Sequence, residues 1–339
     1  MQYRRVGNSG LIVSEICLGT MTFGVSVDQA MATRIVDQAM EAGVTFFDTA
    51  NTYANGQSEI LLGEALKGRR HGAIVATKFH NPTGPFPTDG GISRVHIMQA
   101  IEDSLRRLQM DYIDIYYVHH VDSLTPQEEM LRAVDDLIHQ GKVRYVACSN
   151  YEAWRLADAW WTSVANGLHR FICYQPQYSL VVREIEFEHV PFCLQKGIGI
   201  VPWGPLASGF LTGKYQPGQR RVPGTRSAEG WLFHERFFSE KADETLAVLL
   251  EVSREIGKTP AQVALRWVLE QLAISSVIVG ARTAEQFRDS CGASGWRLEG
   301  EPLWRLTKVS QPKDRYPYQM ERGSDARRAA AIKMPSLDG

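Results

Sequence analysis

Short apolar runs that alternate with amphipathic segments dominate the pattern along this chain. Eight runs are almost continuously apolar, as expected of strands that are covered on both faces. They lie at 16–22, 44–49, 73–79, 113–119, 144–149, 171–176, 198–203 and 275–281. Between them, apolar residues such as Ile97, Ile101 and Leu105 recur at helical spacing. The helices predicted in this way span 29–42, 94–109, 127–140, 242–256 and 260–271.

Repeated strand-and-helix units form either a closed parallel barrel or an open doubly wound sheet. The even spacing of the eight units favours the barrel, and no GxGxxG sequence follows the first run, which disfavours the open dinucleotide-binding sheet. We therefore predict an α/β fold, a (β/α)8 TIM barrel. Residues 3–14 predict a β-hairpin before it, with turn-forming residues at Gly7-Asn8-Ser9-Gly10.

The length of the chain and its polar end determine the predicted domains. The chain has 339 residues, a size that barrels reach as one domain. We predict a single barrel over residues 1–310 and a polar, charged C-terminal tail over residues 311–339. Two interpretations of the tail stay open: an irregular surface segment, and a segment with a short helix around 324–333.

Composition narrows the class of partner. The net charge is −1 and the hydrophobic content is 44%, so the charge balance does not call for nucleic acid or an anionic membrane. No run approaches the roughly 18 apolar residues of a membrane span, and the N-terminus lacks the pattern of a signal peptide. The five cysteines include no CxxC pair, so no metal site is predicted. A cytoplasmic protein with a small-molecule substrate fits these features, and the oligomeric state is left open.

Ionisable residues follow three of the predicted strands at the ends where barrel active sites lie. Asp48 ends the second run, with Tyr53 five residues on. Lys78 lies near the end of the third run, and His119 and His120 follow the fourth. Each residue alone has an ordinary structural explanation, such as a loop cap, a snorkelling lysine or a core histidine. Together they bring an acid, a phenol, an ammonium group and an imidazole to one rim.

This set of groups suits carbonyl reduction, which needs a proton donor as hydride arrives, and the reverse reaction, which needs a base. The hypothesis is that Tyr53 is the acid/base and that the cation of Lys78 lowers its pKa. Asp48 then serves as the counter-ion of the buried lysine. His119 orients and polarises the substrate oxygen.

Six segments, in order, resemble signatures of the aldo-keto reductase superfamily. They are FFDTANTY (46–53), ATK (76–78), IDIYYVHHVD (113–122), GKVRYVACSN (141–150), WGPLASGFLTGKY (203–215) and VIVGAR (277–282). The resemblance implies a TIM barrel that binds a nicotinamide cofactor without a Rossmann domain. It also implies a tetrad of Asp48, Tyr53, Lys78 and His119. Strand alternation is expected to turn the side chain of His120 to the opposite face from that of His119.

The resemblance further implies a cofactor site. It places Ser149, Asn150 and Gln175 at the carboxamide and Trp203 against the nicotinamide ring. The resemblance also places Asp48 at the cofactor, and Thr20 and Met21 at its ribose. The residues implied at the phosphates are Gly204, Pro205, Leu206, Ala207, Ser208, Lys214 and Arg226. Those implied at the adenosine are Gly280, Arg282 and Gln286. Trp203 as a core residue, and Lys214 and Arg226 as ordinary surface charges, stay open. Because guanidinium pairs well with phosphate, Arg282 favours NADP(H) over NAD(H).

Aromatic residues and a second histidine are predicted to line the substrate pocket. They are Phe23, Phe79, His120 and Trp231. Such walls suit apolar aldehydes and ketones, and equally sugars, so a sugar or secondary-alcohol dehydrogenase is the alternative to a carbonyl reductase. A cofactor-sensing subunit that resembles channel beta subunits is a third hypothesis, which the complete tetrad disfavours. The segment 80–94, rich in Gly and Pro, is either a lid or a plain connector.

Overall fold

A ring of eight parallel strands forms the centre of the computed structural model, which describes residues 1–223, 225, 228 and 237–320. The hairpin strands are β1 (Tyr3–Arg5) and β2 (Ile12–Ser14), and the barrel strands are β3 (Ile16–Gly19), β4 (Phe46–Asp48), β5 (Ile74–Phe79), β6 (Ile113–Val118), β7 (Val143–Ser149), β8 (Cys173–Gln175), β9 (Gly199–Ile200) and β10 (Val277–Gly280). Each barrel strand pairs with the next, and β10 pairs with β3. A hydrogen bond from Ser275 N to Ile200 O (2.8 Å) closes the ring between β9 and β10.

Helices connect the strands and cover the outside of the barrel. In the described part of the chain they are α1 (Gln29–Glu41), α2 (Gln57–Ala65), α3 (Arg94–Leu108), α4 (Gln127–His139), α5 (Ala153–Asn166), α6 (His189–Lys196), α7 (Glu240–Ile256), α8 (Pro260–Leu269), α9 (Ala284–Cys291) and α10 (Gly300–Val309). Helix α8 begins as its sequence suggests. The Thr259 side chain accepts a hydrogen bond from Gln262 N, and Pro260 occupies the first turn.

The hairpin covers the N-terminal end of the barrel. β1 and β2 pair antiparallel, with Tyr3 opposite Ser14. Val6 and Val13 belong to the same buried apolar cluster as the residues that fill the barrel, among them Phe46 and Ile115. The catalytic ends of the strands therefore lie at the opposite, open end.

These findings confirm the predicted (β/α)8 barrel and its N-terminal hairpin. Most strands begin or end up to three residues inside the predicted runs, as at Gly199–Ile200 against 198–203, whereas β7 begins one residue before its run. The pattern did not resolve five helices, α2, α5, α6, α9 and α10. None of the helices in the described ranges is long and apolar enough to span a membrane.

The described part of the predicted tail contacts the barrel through Tyr318. The Tyr318 hydroxyl donates a hydrogen bond to Glu188 Oε1 (2.5 Å), and its ring lies 5.1 Å from that of Phe187. The helix considered around 324–333 falls outside the described residues.

Candidate active site

Strands β4 and β5 place a carboxylate and an amine side by side inside the mouth of the barrel. Asp48 ends β4 and Lys78 is the fifth residue of β5, and the two side chains are joined by a short hydrogen-bonded ion pair. Lys78 Nζ also donates to Thr49 O (2.6 Å). Lys78 is 0% exposed and Asp48 is 2% exposed, so each charge depends on its partner.

Tyr53 faces this pair because the chain turns sharply after β4. Residues Tyr53–Gly56 form a 3₁₀ turn in which Ala54 and Asn55 have left-handed φ values of 49° and 54°. The turn leaves the Tyr53 hydroxyl 3.4 Å from Lys78 Nζ. The phenol is half-buried, so its hydroxyl lies within reach of both the buried amine and a small substrate.

His119, which follows β6, completes the group. Its ring lies 5.8 Å from the Tyr53 ring at an interplanar angle of 76°. The residue is 8% exposed, and its Nδ1 is buried without a hydrogen-bond partner among the described residues. The structure thus brings together the four side chains that the sequence suggested as a tetrad, from the ends of three adjacent strands.

Burial governs the electrostatics of this group. Burial lowers the pKa of Lys78, but Asp48 and Tyr53 outweigh that effect, so the pKa of Lys78 is raised and the amine stays charged. Burial raises the pKa of Tyr53, and the cation of Lys78 offsets this shift only in part. Lys78 lowers the pKa of Tyr53, as the sequence suggested, but desolvation is the larger effect and the net shift is upward.

His119 is a neutral imidazole at physiological pH. Burial, with the positive charge of Lys78 next in importance, lowers its pKa from 6.5 to about 2. A neutral imidazole donates one hydrogen bond and accepts one. His119 is thus suited to bind a substrate oxygen rather than to supply a full positive charge.

His120 lies on the same side as His119. The two rings stack with centroids 4.5 Å apart and planes 11° apart, and the His80 ring meets His120 edge-on at 5.4 Å. The expectation that these neighbours point to opposite faces is wrong, because β6 ends at Val118 and strand alternation ends with it. Three imidazoles therefore adjoin the mouth.

The ends of β7 and β8 add a polar group beside the tetrad. Gln175 Nε2 donates to Asp48 Oδ2 (2.9 Å), and the buried Ser149 hydroxyl donates to Gln175 O (2.7 Å). Asn150 Nδ2 donates to His119 O (3.1 Å), and Trp203 Nε1 donates to Asn150 Oδ1 (3.0 Å). One connected network therefore joins these residues to Asp48 and to the backbone of His119.

Known proteins match nearly the whole chain. The family model described as Aldo/keto reductase family matches residues 15–311. The chain belongs to the aldo/keto reductase family. Aldo/keto reductases generally use a nicotinamide cofactor, and family membership identifies this chain as an oxidoreductase of that kind.

Known members of the aldo/keto reductase family that are similar to this chain include oxidoreductases and channel subunits. An uncharacterized oxidoreductase, YrpG of Bacillus subtilis (strain 168), is 37% identical over 321 residues, which cover 91% of this chain and 96% of that protein. A probable voltage-gated potassium channel subunit beta of Arabidopsis thaliana is 36% identical over 86% of this chain and 91% of its own length. Its counterpart in Oryza sativa subsp. japonica is 37% identical over the same shares of the two chains.

The loop after β9, which the sequence implied for the cofactor phosphates, has an unusual backbone. Gly204, Ala207, Ser208 and Gly209 all have positive φ. A Cβ atom on Gly209 would meet nothing within 4 Å, so there is open space beside this residue, whose N–H donates to Leu206 O (2.9 Å). Pro205 and Ala207 are buried, whereas Gly204, Leu206 and Ser208 are partly exposed and Lys214 is exposed. The residues present fit a dianionic group that is held by backbone N–H groups and one cation.

Arg282 lies at a surface cavity of about 430 Å³. Residues 24–28 and Arg34 also line this cavity. The Arg282 backbone N–H donates to Gln286 Oε1 (3.0 Å), which joins the two residues implied for the adenosine end, and Gly280 before them is exposed. Two guanidinium groups and the Asp28 carboxylate line this cavity, which leaves it with a net positive charge.

Thr20 differs from its predicted role. It is 0% exposed, and its hydroxyl bonds Asp48 O (3.1 Å) and Ser58 Oγ (2.8 Å). Because the hydroxyl is occupied within the protein, Thr20 supports the backbone of Asp48 instead of contacting a ribose. Its neighbour Met21 is exposed, as a residue that contacts a cofactor requires.

Two of the predicted substrate residues lie elsewhere. Phe23 and Phe79 are fully buried in the apolar layer between strands and helices, where the Phe79 ring packs 4.7 Å from that of Tyr116. The last residue of β5 points away from the barrel because its neighbour Lys78 points inward. Trp231, and Arg226 of the implied phosphate site, lie outside the described residues, so His120 is the predicted substrate residue that the structure places at the mouth.

Sequence reasoning missed Asn51. This residue lies between Asp48 and Tyr53 and is 2% exposed, and neither its Nδ2 nor its Oδ1 has a hydrogen-bond partner among the described residues. Buried amides without partners are rare and costly. Asn51 lies within the segment DTANTY, where an asparagine resembles an ordinary turn-forming residue. Only its burial in the structure distinguishes it from such a residue.

Proposed function

We propose that this protein reduces aldehydes or ketones to alcohols with NADPH, and that Tyr53 donates the proton. The observation that carries the proposal is the distance of 3.4 Å between the Tyr53 hydroxyl and a fully buried, charged Lys78, with His119 beside them. Family membership supports hydride chemistry, and this geometry supports a specific proton donor.

The raised pKa of Tyr53 favours the reductive direction. The phenol stays protonated at neutral pH and so holds the proton that the new alcohol needs. The chemistry that NADPH would supply when bound is a hydride for the carbonyl carbon. As the proton leaves, the positive charge of Lys78 stabilises the phenolate, while Asp48 keeps the amine charged and in place.

His119 orients the carbonyl oxygen in this scheme. With Nδ1 buried and unpartnered, the tautomer with its proton on Nε2 avoids an orphaned buried N–H group and presents that proton to the pocket. The same oxygen then accepts from both His119 and Tyr53. Residues of the β7 and β8 ends, with Trp203, are proposed to hold the nicotinamide.

Replacement of the phenol tests the proposal. Tyr53→Phe removes one hydroxyl and is expected to lower kcat with a carbonyl substrate by about 10²-fold or more, whereas the Kd for NADPH, from fluorescence titration, changes little. Tyr316→Phe, at an exposed phenol, is the matched control and keeps full activity. A Tyr53→Phe enzyme with near-normal kcat would show that another group supplies the proton. Carbonyl and sugar panels, assayed in both directions, decide between reductase and dehydrogenase.

Arg282 is the basis for proposing NADP(H) rather than NAD(H), since a guanidinium pairs with the 2′-phosphate. Arg282→Met is expected to raise KM for NADPH about tenfold or more and leave KM for NADH within about twofold, the loss of one charge-assisted contact. Arg170→Met, at an exposed arginine before β8, is the control. Equal KM values for the two cofactors in the unmodified enzyme would count against this assignment.

The plant relatives favour a second candidate, a cofactor-binding subunit of a potassium channel. Two proteins described as probable channel beta subunits are 36% and 37% identical over 86% of this chain. This candidate expects tight NADPH binding, no turnover of any carbonyl in the panel, and a stable complex with a potassium channel in a pull-down. Rapid turnover without such a complex supports the reductase instead.

A further inference from the structure

A cluster of two imidazoles and a carboxylate lies at the end of the barrel opposite the candidate active site. Asp135 and His139 are one turn apart near the C-terminal end of α4, and His169 lies in the segment that precedes β8. One ligand atom from each side chain lies within 4.8 Å of the other two. The cluster lies at the N-terminal ends of the barrel strands, whereas the proposed catalytic group lies at their C-terminal ends. The two sites are therefore separate.

Both imidazoles contact Asp135, and His139 Nδ1 also lies 3.0 Å from the Asp135 backbone oxygen. Asp135 is buried, and its Oδ1 accepts from His169 N (2.8 Å) and lies 2.7 Å from His169 Nδ1. His139 Nδ1 approaches Oδ2 of the same carboxylate at 3.3 Å, and the two histidine rings lie edge to face at 5.5 Å. Both histidines are exposed. The two rings are therefore exposed to solvent beside a buried carboxylate, and one ligand atom of each residue is already close to the other two.

The chemistry of this set matches a borderline divalent metal. Two imidazoles and one carboxylate are typical zinc ligands, with bonds of about 2.0–2.2 Å and a tetrahedral arrangement. Ligand atoms around such an ion lie roughly 3.3 Å apart, and the spacing in the cluster is close enough to reach this. Three protein ligands leave the fourth position for water, and the nitrogen donors exclude Mg²⁺ and Ca²⁺ as preferred ions.

We propose that Asp135, His139 and His169 form a surface site for a divalent transition-metal ion of the zinc class. The bound ion links the end of α4 to the segment that leads into β8, across 30 residues of chain. Since binding requires the folded arrangement, the ion stabilises the native protein in proportion to its occupancy. This inference does not depend on the proposed function.

Calorimetric titration of the untagged full chain with ZnCl₂ at neutral pH tests the site. The expected result is one saturable site, with affinity lowered at least tenfold by either His139→Ala or His169→Ala. Co²⁺ is the spectroscopic probe, and its visible absorption should appear in the unmodified chain and be absent from the double variant. Zinc should also raise Tm of the unmodified chain and leave that of the double variant unchanged.

The controls separate this cluster from other histidines. His71→Ala, at an exposed histidine elsewhere, should bind zinc as the unmodified chain does. Both ligand variants replace exposed side chains, and equal Tm values without zinc verify that they fold. Lack of saturable binding by the unmodified chain overturns the proposal. So does binding that survives the double replacement but is lost in His120→Ala, which would locate the ion at the mouth.

Discussion

At the scale of single residues, His119 has a pKa that its position in the sequence does not predict. Burial and the positive charge of Lys78 lower its pKa to about 2, against 6.5 in an ordinary environment. The unfolded chain therefore binds a proton at this residue below about pH 6.5, while the native protein does not. Stability contributed by the neutral ring is present above pH 6.5 and is lost as the pH falls toward 2.

We predict that His119→Asn flattens the acid side of the stability profile. Well below pH 6.5, one such histidine lowers the free energy of unfolding by about 1.4 kcal/mol per pH unit. Urea denaturation of the unmodified protein and the variant between about pH 6 and pH 4.5 measures the two slopes. His71→Asn, at an exposed site, should retain the original slope. Identical slopes for the unmodified protein and His119→Asn would mean that His119 titrates normally in the native state.

The residues of the candidate site could be predicted to a large extent, since strand ends in a barrel converge on one rim. Their ionisation could not, because it depends on burial. Lys78 and Tyr53 adjoin as expected, yet desolvation reverses the expected shift of the Tyr53 pKa. The stacking of His119 on His120 was equally hidden, since it depends on β6 ending one residue earlier than the apolar run.

At the scale of elements, α2 shows why the hydrophobic periodicity did not predict some of the helices. Its buried residues include Ser58 and Glu59 as well as Leu62, so no simple apolar stripe marks it. Glu59 is buried because Thr77 (2.5 Å) and Arg107 (2.6 Å) hydrogen-bond its carboxylate. Long-range partners of this kind do not appear in local periodicity. The helices that were predicted, such as α3, have apolar contacts that recur on one face.

Gly63 in α2 gives a prediction in which two effects oppose each other. Alanine usually stabilises a helix interior by about 1 kcal/mol over glycine. Here a Cβ atom would lie 2.4 Å from the backbone oxygen of Leu108, so α2 and the end of α3 would have to separate. We expect the cost of overpacking to exceed the gain in helix propensity. Gly63→Ala should therefore lower the free energy of unfolding by about 1–3 kcal/mol.

Urea denaturation measures this change. Gly10→Ala is the matched control, because a Cβ there meets nothing within 4 Å, and it should be neutral or slightly stabilising. A stabilised Gly63→Ala protein would mean that α2 moves away from α3 at little cost.

At the scale of the whole molecule, one buried carboxylate forms ion pairs with residues from the N-terminal and C-terminal parts of the barrel. Glu15, just before β3, pairs with Arg4 in β1 and with Arg266 in α8 (3.2 Å), and accepts from Ser294 Oγ (3.0 Å). Arg4 in turn donates to Leu269 O (2.6 Å). Segments 250 residues or more apart thus meet where the ring of strands closes.

This network predicts an asymmetry between two substitutions with the same chemistry. Glu15→Gln leaves Arg266, whose side chain is 2% exposed, with Glu270 as its remaining ion-pair partner among the described residues. We expect a loss of about 3 kcal/mol in the free energy of unfolding, because Arg4 loses its ion pair with Glu15 and the buried Arg266 loses one of its two. Glu128→Gln breaks an exposed pair with Arg132 one turn away and should cost about 0.5 kcal/mol or less. Equal losses of unfolding free energy in urea denaturation would mean that the strands and the apolar core alone stabilise the closed barrel. The ion network would then contribute nothing measurable.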